Sequence, residues 1–527
     1  MIVLASFGVC RQGGSSMSDI MSLLTANGSA TVALEGLSGL KVYARSITVQ
    51  GGAVYFLGRR DHRHLLGVLS DAHQPSGFDL SWRGVTLGKA LLRLGIGEEN
   101  HANAAALRAA LPWTAPRVIG LQKSAGLGDR LGIATPGHLM ALRHAVGIAP
   151  VLAQQSIREM ERTQRTARDV MDAATWGVFQ EGWREGYGAD ADHLKTVADI
   201  DYCSAEGYVW YTFDPRDHVD NDAEIDALAA LKIKYEALPW NDLGTSPGVT
   251  REQFVGKTWD LGGLVLRMNE EDLLRAACKY GKAIAHLTAM YRHLAAGMGD
   301  RPFEVEVSVD ETDTPTKAAE HFYIATELRR LGVQWTSLAP RYIGAFEKGV
   351  DYIGDLALFE ETFAEHVAIA KALGPYKLSL HSGSDKFSIY PIAARVAGDL
   401  VHLKTAGTSY LEALRAVARV DPALFREILA FAIDHYEVDK ASYHVSAQVG
   451  KMIAPQTISD VGLPEVLDQF DTRQALHVTF GSVLTLRDAQ GKYVFTDRLH
   501  QVLGSHEAEH YAALEAHIVK HVMPFSD

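Results

Sequence analysis

The sequence predicts an α/β fold: a (β/α)8 barrel of the TIM type, with insertions, preceded by a small β-rich N-terminal module. Beyond residue 111, short apolar segments alternate with amphipathic segments of helical period, which is typical of parallel α/β proteins. Eight strand candidates can be counted there, and eight is the number that a closed barrel needs. Polar residues also stand where several of these strands end, which is where barrel enzymes carry their reactive groups.

Residues 1–110 are predicted to form an N-terminal extension and the β-rich module, and residues 111–527 the barrel. Within the module, turn signals separate short runs of β-forming residues. The expected strands are Thr31–Leu34, Lys41–Val49 and Ala53–Leu57. Residues 1–16 precede two further methionines, Met17 and Met21, and we interpret them as an upstream extension or a mobile tail.

The barrel region is expected to alternate strands with helices. The strand candidates are Val118–Lys123, Gly177–Glu181, Val209–Asp214, Phe303–Asp310, Val333–Leu338, Lys377–His381, Val401–Lys404 and Leu476–Phe480. The clearest helical patterns cover Thr163–Ala174, Leu273–Ala296, Ala318–Leu331 and Phe359–Leu373. Because the strands are unevenly spaced, an open, doubly wound sheet is the alternative fold.

The composition of the chain restricts the classes of ligand that we expect it to bind. The 527 residues contain 51 Lys+Arg against 64 Asp+Glu, a net charge of -13, without basic runs. Nucleic-acid and membrane-surface partners are therefore not expected, since both need clustered positive charge, and a small soluble ligand is favoured. The three cysteines, Cys10, Cys203 and Cys278, form no CxxC motif, so neither a disulfide framework nor a thiolate zinc site is expected. Met1–Cys10 is too short to span a bilayer, and a cytoplasmic location fits.

Several strand candidates carry polar residues on one face. In Phe303–Asp310 the residues Glu304, Glu306, Ser308 and Asp310 alternate with apolar ones. Barrel interiors are usually filled by Val, Ile and Leu, so these inward polar groups need a hydrogen-bonding or charged partner. A metal ion with a polyhydroxylated substrate would satisfy them. Buried ion pairs and hydrogen-bonded core histidines are the alternative.

The strand ends supply a candidate cation site. Asp310 and Glu311 end one strand, His381 ends another in the run His381–Lys386, and His402 and Lys404 lie on the next. Carboxylate oxygen together with imidazole nitrogen suits a divalent cation such as Mn, Ni, Zn or Co, and this donor set does not choose among them.

A glycine-rich segment, Gly126–Gly132, lies between a strand candidate and the helix that follows Thr135–His138. Such loops can bind anions at a helix N-terminus. Its third glycine is one residue late for a dinucleotide motif, so a loop that contacts a carboxylate or hydroxyls through Asp129 and Arg130 is favoured. An ordinary turn is the alternative.

Another motif is rejected. His506–His510 matches the H-E-x-x-H pattern of zinc proteases, but Ala513 and Ala516 stand where the extended motif has Gly and His. We interpret it as the polar face of a C-terminal helix, which His517 and His521 continue. The simplest serine-hydrolase and P-loop motifs are absent from the sequence.

Six blocks of residues, in the same order, resemble the tagaturonate epimerase family. They are Gly128–Arg130 with Thr135–His138, Val309–Pro315, Leu338–Gly344, Glu347–Tyr352, His381–Ser388 and His402–Thr408. The resemblance runs from about Pro116 to the C-terminus, and the first 100 residues and the stretch 215–256 are less similar.

The resemblance implies a metal-dependent epimerase that interconverts D-tagaturonate and D-fructuronate by inverting C4. Simple enolisation next to the C2 carbonyl does not reach C4, so cleavage and re-formation of the C3–C4 bond is the expected route, with a metal acting as Lewis acid. The alternatives are a 4-epimerase of neutral ketohexoses (tagatose and fructose), a class II type aldolase, or a non-catalytic sugar-acid binding protein. The substrate is then a small ketouronate or ketohexose, and the oligomeric state stays open.

Residue roles also follow from the resemblance. Asp310 is expected to accept the proton, and Glu311, Glu347 and His381 to bind the metal. The expected substrate-binding residues are Ser124, Asp129, Arg130, His138, Glu181, Ser384, Asp385, His402 and Lys404. Of these, Ser124, Arg130 and Lys404 are the candidates for the substrate carboxylate and hydroxyls, with an ion-pair or surface role as the alternative.

Overall fold

The computed structural model describes residues 17–25, 28–71 and 73–527. The chain forms two compact units. The first runs to Thr114 and includes Val178–Arg184, and the second comprises Ala115–Gly177 and Glu185–Asp527. The proposed upstream extension, residues 1–16, lies outside the described residues, as does Cys10.

Within its described residues, the first unit contains a six-stranded antiparallel sheet, three complete α-helices and the last four residues of a helix that begins in the second unit. Its elements are α1 (Met17–Thr25), α2 (Ala30–Ser38), β1 (Lys41–Val42), β2 (Thr48–Gln50), β3 (Ala53–Arg60), β4 (Arg63–Ser70), β5 (Ser81–Leu87), β6 (Ala90–Glu98) and α3 (His101–Ala110). The strands lie in the order β1-β3-β4-β6-β5, with β2 beside β3. Leu34 of α2 packs with Phe56, Leu69 and Leu94 in a buried apolar cluster.

The β-rich character of this unit is confirmed, but one predicted strand is wrong. Thr31–Leu34 lies in α2, because Ser29 accepts a hydrogen bond from the Val32 N–H and caps the helix, while Gly39 ends it with a φ of 73°. Ala53–Leu57 is a strand as predicted, and strand structure occurs at both ends of Lys41–Val49, separated by a short turn.

The second unit contains a closed barrel. Its strands are β7 (Ser124–Leu127), β8 (Ala149–Ser156), β9 (Gly188–Leu194), β10 (Trp210–Phe213), β11 (Thr258–Asp260), β12 (Val265–Arg267), β13 (Glu304–Val309), β14 (Ser337–Pro340), β15 (Lys377–Leu380) and β16 (Val401–Thr405). Eight of them close in the order β10-β13-β14-β15-β16-β7-β8-β9, with parallel pairing throughout. The (β/α)8 prediction is confirmed, and the sheet is not open.

Three of the eight predicted barrel strands are wrong. Val118–Lys123 forms an irregular turn, and the strand β7 begins only at the next residue, Ser124. Gly177–Glu181 forms the end of a helix, whose apolar stripe it continues. Leu476–Phe480 lies across two helices that are buried on all sides, so its sequence shows no amphipathic period. The strands that take the places of these last two are β8 and β9, and in β9 the buried acids Asp190 and Asp192 interrupt the apolar run that is typical of a buried strand.

The helices of this unit are α4 (Thr135–Leu142), α5 (Ile157–Thr163), α6 (Ala167–Glu181), α7 (Val197–Ser204), α8 (Leu228–Glu236), α9 (Pro247–Phe254), α10 (Glu270–Met298), α11 (Ala318–Arg330), α12 (Leu356–Leu373), α13 (Tyr390–Ala397), α14 (Thr408–Val420), α15 (Pro422–Asp439), α16 (Phe470–Val478), α17 (Phe480–Thr485), α18 (Thr496–Ser505) and α19 (Glu507–Val522). The long α10 starts at a capping box of Asn269 and Asp272. Across the described ranges, every helix falls short of the length and apolarity that crossing a membrane would need.

Insertions explain the uneven spacing of the barrel strands. Between β10 and β13 the chain forms α8, α9, the β11–β12 hairpin and α10, which accounts for the stretch 215–256. After α14, the helices α15 to α18 pack around a separate apolar core that includes Leu414, Phe425 and Phe480. The last helix, α19, then packs against α4 and α14.

Candidate active site

The barrel interior is polar, and most of its charged groups satisfy one another. Lys404 Nζ lies 2.8 Å from an oxygen of each of three carboxylates, those of Asp190, Asp192 and Glu306. It also donates to Thr212 Oγ1 at 2.9 Å. Burial lowers the pKa of Lys404, but the three carboxylates outweigh burial and hold the pKa well above its usual value. This lysine is therefore a charged, fully paired part of the barrel core.

A second polar layer lies at the amino ends of the strands. Ser124 Oγ is 2.9 Å from His402 Nδ1 and accepts a hydrogen bond from Lys377 Nζ at 3.0 Å. Lys377 Nζ lies over the Trp210 ring, 4.4 Å from its centroid. Ser124, Lys377 and Trp210 are the first residues of β7, β15 and β10. The structure thus places Ser124 and His402 at the opposite end of the strands from Asp310, and does not bring them together with it.

A cavity opens at the carboxyl ends of the barrel strands. Of the residues expected at the site, it is lined by Arg130, Asp310, Glu311, His381, Ser384 and Lys404. A wider opening shares Asp310, Glu311 and His381 and is lined on one side by the loop Arg341–Lys348. Carboxylates, imidazoles and cations therefore meet where barrel folds carry their sites.

His381 stands at the end of β15 between two carboxylates. Its Nε2 lies 2.6 Å from Glu306 Oε1, and its Nδ1 lies 3.1 Å from Asp310 Oδ1. Burial lowers the pKa of His381, but Asp310 first and Glu306 also raise it, and the pKa reaches about 10. The loop that follows places Ser382 and Asp385 at φ values of 50° and 61°, a left-handed backbone that non-glycine residues rarely adopt.

A second imidazole, which the sequence interpretation missed, faces His381. His193 lies near the end of β9 with a φ of 54°, and its ring centroid is 5.0 Å from that of His381. Its Nδ1 lies 2.6 Å from Asp192 Oδ1. Its Nε2 lies 3.9 Å from Asp310 and 3.8 Å from Glu311. The signal in the sequence was the alternation Asp190-x-Asp192-His193, in a strand that was not recognised.

These groups fit a divalent cation. One donor atom each from His193, Asp310 and His381 lie within 4.8 Å of one another. Each imidazole has one nitrogen bonded to a carboxylate behind it, which is how metal-binding histidines are usually held. The other nitrogen of each ring faces Asp310 and can carry a proton or a cation. Two imidazoles with a carboxylate suit Mn, Ni, Zn or Co.

Asp310 and Glu311 differ in their partners. Asp310 accepts a hydrogen bond from Ser308 Oγ. Burial raises the pKa of Asp310, but His381 and then His193 outweigh burial and hold the pKa below its usual value. Glu311 is paired with Arg216 and lies 3.7 Å from Arg158. Asp310 is therefore stabilised in its ionised form, and Glu311 is held by an ion pair.

Glu347, an expected metal ligand, is hydrogen-bonded to residues outside the imidazole pair. Its carboxylate accepts hydrogen bonds from the Ser446 N–H at 2.9 Å, from Ser446 Oγ at 2.8 Å and from Gln474 Nε2 at 2.9 Å. It lines the wider opening, but it belongs to none of the cation-binding groups found among the described residues. A role for Glu347 in metal binding stays a prediction that the geometry does not favour.

The glycine-rich loop is held by its own side chains. Asp129 accepts hydrogen bonds from the backbone N–H groups of Leu131, Gly132 and Ala134, so its carboxylate shapes the turn. Arg130 donates to Glu159 Oε1 through two nitrogens, at 3.0 and 2.9 Å. The Arg130 guanidinium also lies 3.6 Å from the centroid of the Phe480 ring. Arg130 reaches the cavity as part of an ion pair.

Two further expected substrate-binding residues lie inside the fold. His138 is buried in α4, with Nε2 2.6 Å from Ser409 Oγ, and burial lowers its pKa to about 4 although Asp129 opposes this. Glu181 ends α6, belongs to the first unit, and lies 3.4 Å from Arg45. Neither side chain lines the cavity.

Asp385 connects the His381 loop to the last helix. It lies 2.5 Å from His517 Nε2 and accepts a hydrogen bond from Arg473 at 2.9 Å. His517 Nδ1 lies 3.2 Å from Glu412. His510, His517 and His521 are buried, so the polar face that the sequence predicts for α19 lies inside the protein. Although Asp385, His517 and His521 come close together, protein hydrogen bonds already engage all three.

Two cations complete the wall of the cavity, and the sequence interpretation named neither. Arg158 lies near the start of α5, and Lys348 lies on the loop between β14 and α12. Lys348 Nζ donates to Ser382 Oγ at 2.6 Å. Burial, and then the neighbouring Arg158, lower the pKa of Lys348 to about 8. This part of the wall carries positive charge next to the imidazole pair.

The fold and the cavity define a class: a (β/α)8-barrel protein whose reactive groups and cations converge at the carboxyl ends of the strands. Within that class, the chain belongs to the tagaturonate epimerase family, which it matches over residues 43–524. It is 43% identical over 484 residues to a tagaturonate/fructuronate epimerase from Thermotoga maritima, and the match covers 92% of this chain and 96% of that protein.

Two crystal structures of the fructuronate-tagaturonate epimerase from Cohnella laeviribosi have the same fold. The complex with one glycerol has a TM-score of 0.87 and 37% identity, and the match covers 94% of this chain and 99% of that one. The native structure has a TM-score of 0.86 and 36% identity, with 97% and 99% covered. The family and the fold that the sequence predicted are both confirmed.

Proposed function

We propose that this protein is a metal-dependent epimerase that interconverts D-tagaturonate and D-fructuronate. Membership of the tagaturonate epimerase family supports the reaction, since relatives at 43% and 37% identity are named for these two sugar acids. The observation that supports metal dependence is the pairing of His193 and His381, each with one nitrogen on a carboxylate and the other facing Asp310.

We assign His193, Asp310 and His381 to the cation. This exchanges the roles that the sequence interpretation gave to Asp310 and Glu311, because Asp310 lies between the two imidazoles whereas Glu311 faces the cavity beside them. Glu311 lies 3.8 Å from His193 Nε2 and lines the cavity. We therefore assign Glu311 as the group that accepts the proton of the substrate's C4 hydroxyl.

The proposed reaction inverts C4 of the ketouronate without net loss of atoms. A divalent cation, when bound, supplies Lewis-acid polarisation of a carbonyl group. Glu311 takes the proton from the C4 hydroxyl, the C3–C4 bond breaks, and a three-carbon aldehyde and an enediolate result. The aldehyde turns, the bond re-forms on its other face, and Glu311 returns the proton to the new C4 hydroxyl. The cavity wall keeps both fragments in place.

Metal removal and restoration test the proposal. The purified protein is treated with EDTA, one of Mn, Ni, Zn or Co is restored at a time, and D-fructuronate is followed chromatographically for D-tagaturonate. We expect product only with a restored metal. His381→Ala should abolish it, whereas His62→Ala, an exposed histidine of the first unit, should not. Absence of product from both ketouronates with every metal would overturn the proposal, and free three-carbon products would indicate an aldolase.

A further inference from the structure

The cavity and its wider opening are lined by six arginine and lysine side chains: Arg130, Arg158, Arg216, Arg341, Lys348 and Lys404, of which Arg216 and Arg341 line the wider opening alone. Three of them already form ion pairs with carboxylates of the protein. Lys404 is surrounded by three, Arg130 is paired with Glu159, and Arg216 is paired with Asp214 and Glu311. A buried cation that is already neutralised has little left to attract a further anion. These three side chains are poor candidates for binding a substrate carboxylate.

Lys348 and Arg158 differ from these three. In the part of the chain that the structure describes, the hydrogen-bond partner of Lys348 Nζ is a neutral hydroxyl, Ser382 Oγ at 2.6 Å, and no carboxylate pairs with it. Arg158 lies 3.7 Å from Glu311, whose closer partner is Arg216, and the Arg158 side chain is 38% exposed. Both line the cavity and its wider opening.

The part of the cavity lining that belongs to the barrel interior has more negative than positive groups around Lys404. Lys404 is one positive charge among three carboxylates, so the barrel interior repels an anion. A ligand with a carboxylate at one end and a carbonyl group at the other is therefore oriented on entry. Its anionic end faces Lys348 and Arg158, and its carbonyl end faces the imidazole pair.

We propose that Lys348 and Arg158 bind the substrate carboxylate and thereby select sugar acids over neutral sugars. After its bond to Ser382, the Lys348 ammonium has two protons left to donate, and the Arg158 guanidinium can donate two parallel hydrogen bonds to one carboxylate. The proposal rests on the proposed function for the identity of the substrate. It replaces Ser124, which does not line the cavity, and Arg130 and Lys404, whose charges are already paired with carboxylates.

A matched pair of six-carbon ligands tests this without turnover. D-Gluconate carries a carboxylate where D-glucitol carries a hydroxyl, and binding of each to the purified, metal-containing protein can be measured by titration calorimetry. We expect the unmodified protein to prefer gluconate. Lys348→Met and Arg158→Met should each weaken gluconate binding on the order of 10- to 100-fold, with little effect on glucitol. Lys348→Arg should retain part of the preference.

Lys371→Met is the control, because Lys371 is an exposed lysine of α12 and the chemical change is the same. Equal binding of gluconate and glucitol by the unmodified protein would overturn the inference. So would Lys348→Met and Arg158→Met variants that keep the preference, since the cation could then bind the carboxylate instead. If the unmodified protein converts neither ketouronate but these variants lose gluconate selectively, the proposed function fails and the carboxylate site stands.

Discussion

The ring centroids of His193 and His381 lie 5.0 Å apart. His193 lies on β9 and His381 directly follows β15, and these two barrel strands are not neighbours. One nitrogen of each ring contacts a carboxylate. His193 Nδ1 lies 2.6 Å from Asp192, and His381 Nε2 lies 2.6 Å from Glu306. A carboxylate only accepts hydrogen bonds, so both of these nitrogens donate, and the remaining nitrogen of each ring faces Asp310. Lys404 contacts both supporting carboxylates and fixes their positions.

Asp310→Asn and Glu311→Gln should separate metal binding from proton transfer. We expect Asp310→Asn to weaken metal binding by at least about 100-fold, because it removes a proposed ligand and its charge. Glu311→Gln should keep the metal but lose on the order of 10²- to 10⁴-fold in turnover, because the amide cannot accept the proton. Metal content after dialysis, by mass spectrometry, and the rate of epimerisation measure the two effects. Metal loss in Glu311→Gln, or full metal content in Asp310→Asn, would contradict the assignment.

Asp192 should affect the metal through His193, which it orients. Asp192→Asn keeps the size of the side chain but removes its charge, and we expect metal affinity to fall about 10- to 100-fold. Competition with a fluorescent chelator measures this affinity. The control is Asp434→Asn, an exposed carboxylate on α15, which should leave affinity unchanged. An unchanged affinity in Asp192→Asn would show that the contact with His193 is structural only.

Strand β13 was predictable from a regular alternation, whereas β9 was missed because its residues hide the pattern. Phe303–Asp310 alternates valines with polar residues, and β13 lies within it. By contrast, Gly188–Leu194 reads Gly-Ala-Asp-Ala-Asp-His-Leu, in which small and acidic residues hide a strand whose acids lie inside the barrel. These acids are tolerated there because Lys404, on β16, neutralises them. The pairing joins residues far apart in the sequence, so local patterns cannot reveal it.

The site was predictable only in part, for the same reason. Asp310, Glu311 and His381 were chosen because they end recognisable strands, and the structure brings them together in one cavity. His193 was missed because its strand was missed. Arg130 forms an ion pair with Glu159, whereas Lys348 donates to the neutral hydroxyl of Ser382. No sequence pattern indicates which of these contacts forms.

Lys404 should contribute strongly to stability. Lys404→Met leaves three buried carboxylates without their shared cation, and we expect the free energy of unfolding to fall by about 3–5 kcal/mol. Urea unfolding followed by circular dichroism measures this change. Lys371→Met, on the surface of α12, should change it by less than about 0.5 kcal/mol. A similar small change in both variants would show that the three acids are satisfied without Lys404.

His138 should make stability depend on pH in a defined window. It is buried in α4 beside Ser409, and burial lowers its pKa to about 4, against about 6.5 in an unfolded chain. Between these values the unfolded chain binds a proton that the folded protein does not bind. Stability is therefore complete above pH 6.5 and falls as the pH drops toward 4, by up to about 1.4 kcal/mol per pH unit from this residue. His138→Gln removes this slope, while the other titrating groups remain in both proteins and cancel. We will compare urea unfolding of the two proteins at pH 7.5, 6 and 5. We expect the variant to become more stable relative to the unmodified protein as the pH falls. A difference that stays constant with pH would mean that His138 is not held neutral by the fold.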